Sequence, residues 1–296
     1  MKKEKRQDNP QVVKSRGQLA SIWMRLRKNR LAMGGLFLLL AMILIAVFAG
    51  LIADYDTMVI GQDQSIRLQT PSGDHWFGTD QFGRDVFARV IHGSRISLSM
   101  SIIAMTIAVA IGAIIGAIAG YYGGAVDNVL MRFMDILLAI PPMLMSISIV
   151  AALGQSMVNL LIALSIAYIP VFARVIRSSI LSIKDQEFIE AARSCGSSNA
   201  RIIFKHIMPN AIGSIIVQAT LAMGATILII ASLSFMGLGV KPPEPEWGTM
   251  LYEGRDFLKQ APYLVLFPGG AITLAVISLN LLGDGLRDAL DPRLRN

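Results

Sequence analysis

Five apolar stretches without a single charge alternate with polar segments along the chain. They cover residues 31–53, 97–120, 136–173, 211–235 and 261–283. A helix needs about 20 apolar residues to cross the hydrocarbon core of a bilayer, so the 136–173 stretch is long enough for two helices, with a turn at Gly154-Gln155-Ser156. Backbone polar groups in lipid must be paired within their own segment, which favours helices over open strands. The pattern predicts an all-α, polytopic membrane protein with six transmembrane helices.

The composition agrees with this fold class. Hydrophobic residues make up 54% of the 296 residues and charged residues 16%, whereas soluble domains carry about 25% charged residues. The chain has one cysteine, Cys195, so an internal disulfide is excluded. The first thirty residues are polar, which favours an uncleaved first span over a signal peptide. The expected division is a tail at 1–30, a first span with a long loop at 31–95, a five-helix core at 96–284 and a tail at 285–296.

The basic residues are unevenly divided between the two predicted sides of the membrane. Twenty of the 27 Lys and Arg residues lie in the N-terminal tail, at position 132, in the loop over 174–205 and after residue 283. By the positive-inside rule, both termini and that loop are cytoplasmic. The net charge of +7 is therefore interpreted as an orientation signal that faces anionic lipid, and not as a nucleic-acid footprint.

The cytoplasmic loop over residues 182–210 has the helix signals of a folded element. Asp185 is a candidate N-cap for a helix over 186–195, and Gly196 is a candidate for its left-handed end. Ser197 or Ser198 would cap a second short helix, and a proline follows at the entry to the next span. The two small alanines at 191 and 192 leave a low surface on which another protein can sit closely.

The spacing within this loop is similar to that of a known family. The signature motif of the membrane subunits of type I ABC importers is similar to Glu190-Ala191-Ala192, Gly196 and Met208-Pro209 of this chain. The general pattern has Ile where this chain has His206 and Leu where it has Met208, and both departures are typical of the dipeptide, oligopeptide and nickel branch. Segments over 75–98, 237–248 and 283–293 resemble the C-type subunit of that branch, although Gly285 stands where a bulkier residue is usual.

The resemblance implies a permease subunit of an ATP-driven, binding-protein-dependent importer in the cytoplasmic membrane of a prokaryote. Its cargo would be a peptide, with nickel or another small solute as the alternative. In that family the loop is the coupling helix that docks in a groove of the ATPase. The residues expected to couple to the ATPase are Glu187, Phe188, Glu190, Ala191, Ala192, Arg193, Gly196, Ser197 and Pro209.

The resemblance also implies a set of partners. These are a paralogous second permease subunit, two ABC ATPase subunits, an extracytoplasmic substrate-binding protein and membrane lipid, without nucleic acid. The chain contains no Gly-x-x-x-x-Gly-Lys-Ser/Thr phosphate loop, so ATP would be bound by the partner subunits. The chain itself is expected to be no enzyme and to hold no cofactor or metal.

Helix-breaking and polar residues within the spans are candidates for the translocation path. A break in a membrane helix is tolerated where packing or a cavity satisfies the freed carbonyl, which applies to Pro141, Pro142 and Pro170. Uncharged amides in a span can line a path or form interhelical hydrogen bonds. The expected path residues are Pro141, Pro142, Asn159, Gln218 and Asn280.

Two further patterns predict helix packing. Gly112, Gly116 and Gly120 fall on one face of the second span, where a neighbouring helix can approach closely. Arg132 and Asp135 stand three residues apart near the inner end of the third span, a spacing that allows an ion pair. We expect both patterns to be structural.

Two other functional classes fit the sequence less well than the importer. Gly154-Gln155-Ser156-Met157 imitates the nucleophile motif of an intramembrane serine protease, but His75, His92 and His206 all lie outside the spans, so a base is missing. An ion-coupled carrier would need an ionisable group near the middle of a span, and the spans contain none.

Overall fold

The computed structural model describes residues 18–290, with side chains from residue 22 onward. This part of the chain is helical and has no β-strand, only an isolated bridge between Thr79 and Asp85. π-helical turns occupy Tyr55–Val59 and Ile202–Ile207. The α-helices are α1 (Gln18–Leu26), α2 (Arg30–Val47), α3 (Ala49–Ile52), α4 (Val86–Tyr122), α5 (Gly124–Leu138), α6 (Pro142–Leu153), α7 (Met157–Ile183), α8 (Glu187–Ser194), α9 (Asn199–Arg201), α10 (Met208–Phe235), α11 (Trp247–Gly254) and α12 (Tyr263–Leu290).

Five helices of the described chain are long and apolar enough to cross a membrane. They are α2, α4, α7, α12 and the continuous helical run over residues 199–235, which contains α9 and α10. The pair α5 and α6 passes the same test together, although its two halves are bent by 83°. When the bent pair counts as one span, the chain has the six predicted crossings.

The third span differs from its prediction at both its start and its middle. α5 begins at Gly124, twelve residues before the predicted start at 136. Because Asp127, Arg132 and Asp135 lie within α5, a search for charge-free segments misses this helix. The bend follows the chemistry of the two prolines, since Pro141 has no N–H to continue α5 and Pro142 opens α6.

Other helices extend beyond their predicted limits. α4 begins at Val86, so the predicted boundary at 95 lies inside one continuous helix, and α12 continues to Leu290 within the predicted C-terminal tail. The predicted N-terminal tail contains α1. Apolarity marks only the part of a helix that lies in lipid, which explains these extensions. Pro170 does not interrupt its span, because it is buried inside the unbroken α7. Residues 1–17 and 291–296 of the predicted tails lie outside the described residues.

The predicted glycine face lies against α7. A Cβ atom placed on Gly112 would lie 2.7 Å from Cβ of Phe172, and one placed on Gly120 would lie 3.0 Å from Cβ of Ile180. Phe172 and Ile180 are fully buried. The close approach of α4 and α7 confirms the packing prediction and forms the centre of the main apolar core.

The bundle has two ends, which we name after the short helices they carry. At the α8 end, the last turn of α12 meets α1, where Arg25 Nη1 donates to the Ala289 carbonyl over 3.5 Å. Here Tyr121 at the end of α4 also donates to Asn199 Oδ1 over 2.8 Å. At the opposite α11 end lie the long loop over residues 53–85, α11 and the first turns of α4 and α12.

A buried ionic cluster holds the long loop to α11. Asp80 Oδ2 accepts from Arg84 Nε and from Arg89 Nη1, both over 2.6 Å. Glu253 Oε2 on α11 accepts from Nη2 of Arg84 over 2.9 Å and from Nη1 of Arg89 over 2.8 Å. Burial lowers the pKa of Arg84 below its ordinary value, with the charge of Arg89 as a second cause. Two cations and two carboxylates therefore lock this end of the molecule.

Candidate coupling surface and transport path

α8 follows α7 after a short turn and ends at a glycine. Its N-cap is Gln186, in extended conformation and without a side-chain capping bond, so the prediction that Asp185 caps the helix is wrong. Gly196 has φ +76°, and the Ser197 N–H donates to the Ala192 carbonyl over 3.1 Å. This left-handed end is the one that the glycine predicts, because residues with a Cβ rarely adopt it.

The segment after Gly196 is joined to the next span without a break. Ser198 is the N-cap of α9, where its Oγ accepts from the Arg201 N–H, which identifies the correct one of the two predicted caps. The predicted second short helix is therefore not a separate element, because residues 199–235 form one helical run. π turns over 202–207 precede Pro209, which lies in the first turn of α10 as expected.

α8 is anchored by a single apolar side chain. Ile189 is completely buried in the main core, together with Ile180 and Ile202. The predicted coupling residues on and beside α8 are exposed or half-buried, and this holds for Glu187, Phe188, Glu190, Ala191, Ala192, Arg193, Gly196 and Ser197. Pro209 is also exposed but lies 13 residues after Gly196, at the start of α10. α8 therefore presents nearly its whole surface at this end of the bundle.

A large apolar side chain that the sequence does not single out is exposed at the α8 end. Phe204 in the π turns is 70% exposed, and Phe188 on α8 is 42% exposed. Large exposed aromatic side chains are typical anchors of protein interfaces. The only sign of this exposure in the sequence is that Phe204 is followed directly by the polar residues Lys205 and His206.

Ion pairs connect α5 to α7, and they differ from the predicted one. Arg177 holds Asp127 through Nε at 2.5 Å and Nη2 at 2.6 Å. Arg174 Nη2 donates to Asp135 Oδ1 over 2.7 Å. The predicted pair between Arg132 and Asp135 is wrong, since the Asp135 partner comes from the neighbouring helix. A spacing of three allows a pair within a helix, but it cannot reveal a competing guanidinium on another helix.

Three of the candidate path residues lie at the two ends of α6. Pro141 and Pro142 form the bend between α5 and α6. Asn159 closes the turn between α6 and α7, where its Nδ2 donates to the carbonyls of Leu153 and Gly154, each over 2.9 Å. The structure therefore gives Asn159 a local role in that turn.

Gln218 and Asn280 lie on an open face formed by α10 and α12. Gln218 is half-buried and Asn280 exposed, and neither side-chain amide forms a protein hydrogen bond within the described residues. Towards the α11 end this face holds an apolar groove of about 470 Å³. Its lining includes Met143, Leu228, Ser232, Phe235, Leu251 and Ile272.

The sequence profile of one protein family covers these elements. The family described as "Binding-protein-dependent transport system inner membrane component" matches residues 112–296, more than half of the chain. This chain belongs to that family. A second profile, the N-terminal TM domain of oligopeptide transport permease C, matches residues 17–71. The protein is thus a C-type permease with the all-α type I fold, as the loop motif and the segments over 75–98, 237–248 and 283–293 predict.

Relatives along nearly the whole length agree with this assignment. The permease is 49% identical to the "Dipeptide transport system permease protein DppC" of Alkalihalophilus pseudofirmus over 92% of this chain and 89% of the relative. It is 46% identical to the "Glutathione transport system permease protein GsiD" of Escherichia coli O6:K15:H31 over 92% and 90%. A solved structure titled "Crystal structure of an amino acid ABC transporter with histidines" aligns with a TM-score of 0.49 and 20% identity, over 70% of this chain and 95% of that one.

Ser156, the serine of the protease-like motif, caps a helix in the structure. Its Oγ accepts from the Asn159 N–H over 3.0 Å and thereby caps α7. Within the described residues, Nδ1 of His75 bonds to Asp85 and Nε2 of His92 to the Ala53 carbonyl. Ser156 is thus part of a helix cap, and the protease motif has a structural explanation.

Proposed function

We propose that this permease is one half of a peptide importer driven by separate ATPase subunits. The proposal for the cargo rests on two relatives, at 49% and 46% identity, whose names state dipeptide and glutathione transport. Both are peptides or peptide-like molecules, so a small peptide is the cargo class that we propose. No feature of the described residues favours nickel over a peptide.

The exposed α8 helix carries the proposal for coupling. It is anchored through one buried residue, Ile189, while its outer surface is free. A groove on an ATPase subunit can therefore enclose α8 without disturbing the core of the permease. The proposed contact residues are those named above, with the exposed Phe204 added to them.

The connections of α8 provide a rigid route into the bundle. The turn at Gly196 is short, and it leads directly into the helical run over 199–235. Tyr121 joins this run to α4 through Asn199. A displacement of α8 would consequently move α10 and α4 together, which is the kind of rigid-body motion that switches access in a transporter.

We place α8 and both chain termini in the cytoplasm. The support is the excess of basic residues in the segments at the α8 end, including Arg193, Arg201 and Lys205. With this orientation the loop over 53–85 and α11 face the outside, where a substrate-binding protein would deliver the cargo. ATP would be bound by the two ATPase subunits and not by this chain.

A second, paralogous permease subunit would cover the open face of α10 and α12. Unpaired amides are costly against lipid, and Gln218 and Asn280 both lie on this face. A partner subunit on that side would turn the face into one wall of a path, with the apolar groove at its outer mouth.

The only native cysteine offers a direct test of orientation and coupling. Cys195 is exposed immediately after α8. We expect a membrane-impermeant maleimide to label it in inside-out vesicles but not in right-side-out vesicles, and an ATPase subunit to protect it. A control variant with Cys195→Ser and Ser72→Cys moves the thiol to the exposed loop at the α11 end and should reverse the pattern. Labelling of Cys195 from the outside would overturn the proposal.

A further inference from the structure

The short helix α1 leads into the first span with a cationic surface. Only residues 27–29 separate α1 from α2, and Arg27, Lys28 and Arg30 are all exposed. Trp23 on α1 is 50% exposed, and Leu31 at the start of α2 is 69% exposed. Three positive charges therefore stand between two exposed apolar side chains.

The position of α1 is fixed by packing against the end of α12. Leu26 is buried in a small apolar cluster with Ala289, and Ile22 packs against the same cluster. The Arg25 guanidinium donates to the Ala289 carbonyl. These contacts hold α1 against α12 and leave Trp23 exposed beside the buried Leu26.

The positive charges at this junction are not neutralised by ion pairs within the described residues. No Asp or Glu occurs between residues 9 and 53, and within the described residues no ion pair involves Arg27, Lys28 or Arg30. Asp284 and Asp288, the exposed acids of the neighbouring α12, form no ion pair with them.

Arg30 is also the first residue of α2, where the helix dipole is positive and favours an anion over a cation. Asn29 accepts from the backbone N–H groups of Leu31 and Ala32, which fixes this start of the helix. The charge of Arg30 is therefore added to a positive helix end. An external anion would relieve this accumulation of positive charge.

The place of the junction in the fold identifies the anion. Residues 30–47 form an apolar membrane span, so the residues just before it lie at the depth of the lipid headgroups. Tryptophan is enriched at that depth, with its ring in the interface and its N–H towards water. A short amphipathic helix with basic residues and a tryptophan is typical of interfacial binding to anionic lipid.

We propose that Trp23, Arg27, Lys28 and Arg30 form a binding site for the headgroup of an anionic phospholipid. The three cations would contact the phosphate, and Trp23 would lie beside the glycerol and upper acyl region. The same residues would form this site whichever side of the membrane the junction lies on. Only its assignment to the inner leaflet rests on the proposed orientation.

Lipid titration of the purified full-length chain tests this site. Dioleoylphosphatidylglycerol and dioleoylphosphatidylcholine are added to the protein in detergent, and bound lipids are counted by native mass spectrometry. A basic residue near an anionic membrane surface contributes about 1 kcal/mol, or about fivefold in affinity. We therefore expect the double variant Arg27→Gln/Lys28→Gln to bind phosphatidylglycerol more than fivefold less tightly, with little change for phosphatidylcholine.

A matched control separates this site from the net charge. Lys241 and Lys259 are exposed near the α11 end, so Lys241→Gln/Lys259→Gln removes the same charge from the opposite end and should leave binding unchanged. Trp23→Ala, which keeps every charge, should also weaken phosphatidylglycerol binding. Equal loss in both double variants, or no loss in the first, would overturn the proposal. Displacement of the lipid by millimolar inorganic phosphate would also overturn it, since the site would then bind a free anion.

Discussion

Arg177 on α7 holds both carboxylate oxygens of Asp127 on α5, at 2.5 and 2.6 Å. Asp127 is 14% and Arg177 31% exposed at the side chain, so water only partly screens the pair. The bidentate geometry fixes the angle between the two helices as well as their distance. The first half of the broken third span is thereby tied to the central α4 and α7 pair.

Removal of this pair should destabilise the permease. A hydrogen bond to a charged group contributes about 1.5–3 kcal/mol, so we expect Asp127→Asn to lower the thermal unfolding temperature of the purified chain measurably. The control is Asp135→Asn, because its partner Arg174 is 57% exposed and exposed pairs contribute about 0–1 kcal/mol. The exchange Asp127→Arg/Arg177→Asp should restore part of the loss. Equal unfolding temperatures for the two single variants would contradict the role of Asp127.

The close packing of α4 on α7 makes a second prediction. A valine at Gly112 would place its Cβ 2.7 Å from Cβ of the fully buried Phe172. Overpacking of this kind costs about 1–3 kcal/mol, so Gly112→Val should reduce both thermal stability and the yield of folded protein. Gly34→Val is the matched control, since Gly34 also lies in a spanning helix and its Cβ would meet no atom within 4 Å. Similar losses for both variants would show that close packing is not the cause.

The sequence predicts the spans well but not their relations in space. Apolar length identifies five crossings and the second half of the bent third span, and Gly196 identifies the end of α8, because each of these signals is local. The ionic cluster of Arg84, Arg89, Asp80 and Glu253 joins residues up to 173 positions apart, and no periodicity connects them. The same reason explains the wrong pairing of Arg132, since the guanidinium that competes for Asp135 stands on another helix.

The candidate site could be predicted only as far as its motif extends. The Glu190 motif predicts that α8 is a contact surface, and the match to the permease family covers this loop. The exposure of Phe204 cannot be predicted from the sequence, because Phe204 lies in the π turns, whose wider spacing moves side chains relative to an α-helix. An amide in an apolar run has no partner that the sequence reveals, so Asn159 is predicted on the path, although its partners are carbonyls in the adjacent turn.

Charge reversal on α8 should uncouple transport from ATP hydrolysis. Glu190 is exposed, so Glu190→Lys should leave folding and membrane insertion unchanged while placing a wrong charge in the ATPase groove. We expect transport by the reconstituted importer to be lost and co-purification of the ATPase to weaken. Asp185→Lys is the control, because Asp185 is exposed in the same loop but lies outside α8 and does not cap it. Full transport by the Glu190 variant would argue against coupling through α8.

A substitution on the open face of α10 and α12 should affect transport without affecting stability. Asn280 is exposed and its side chain forms no protein hydrogen bond within the described residues, although its Oδ1 lies close to Gly224 of α10, so Asn280→Leu removes no internal hydrogen bond. We expect the isolated variant to unfold at the wild-type temperature or slightly above it, while uptake of a radiolabelled dipeptide by the complete importer falls. The control is Leu274→Ala, since Leu274 is exposed on another face of α12 and its loss should not affect uptake.

A fall in uptake together with a fall in stability would assign Asn280 a structural role instead. Unchanged uptake would remove it from the translocation path. Because the amide is accessible in the single chain, the partner permease is what would bury it. Loss of uptake without loss of stability would therefore also indicate that this face meets either the cargo or the second subunit, and cross-linking from position 280 would distinguish the two.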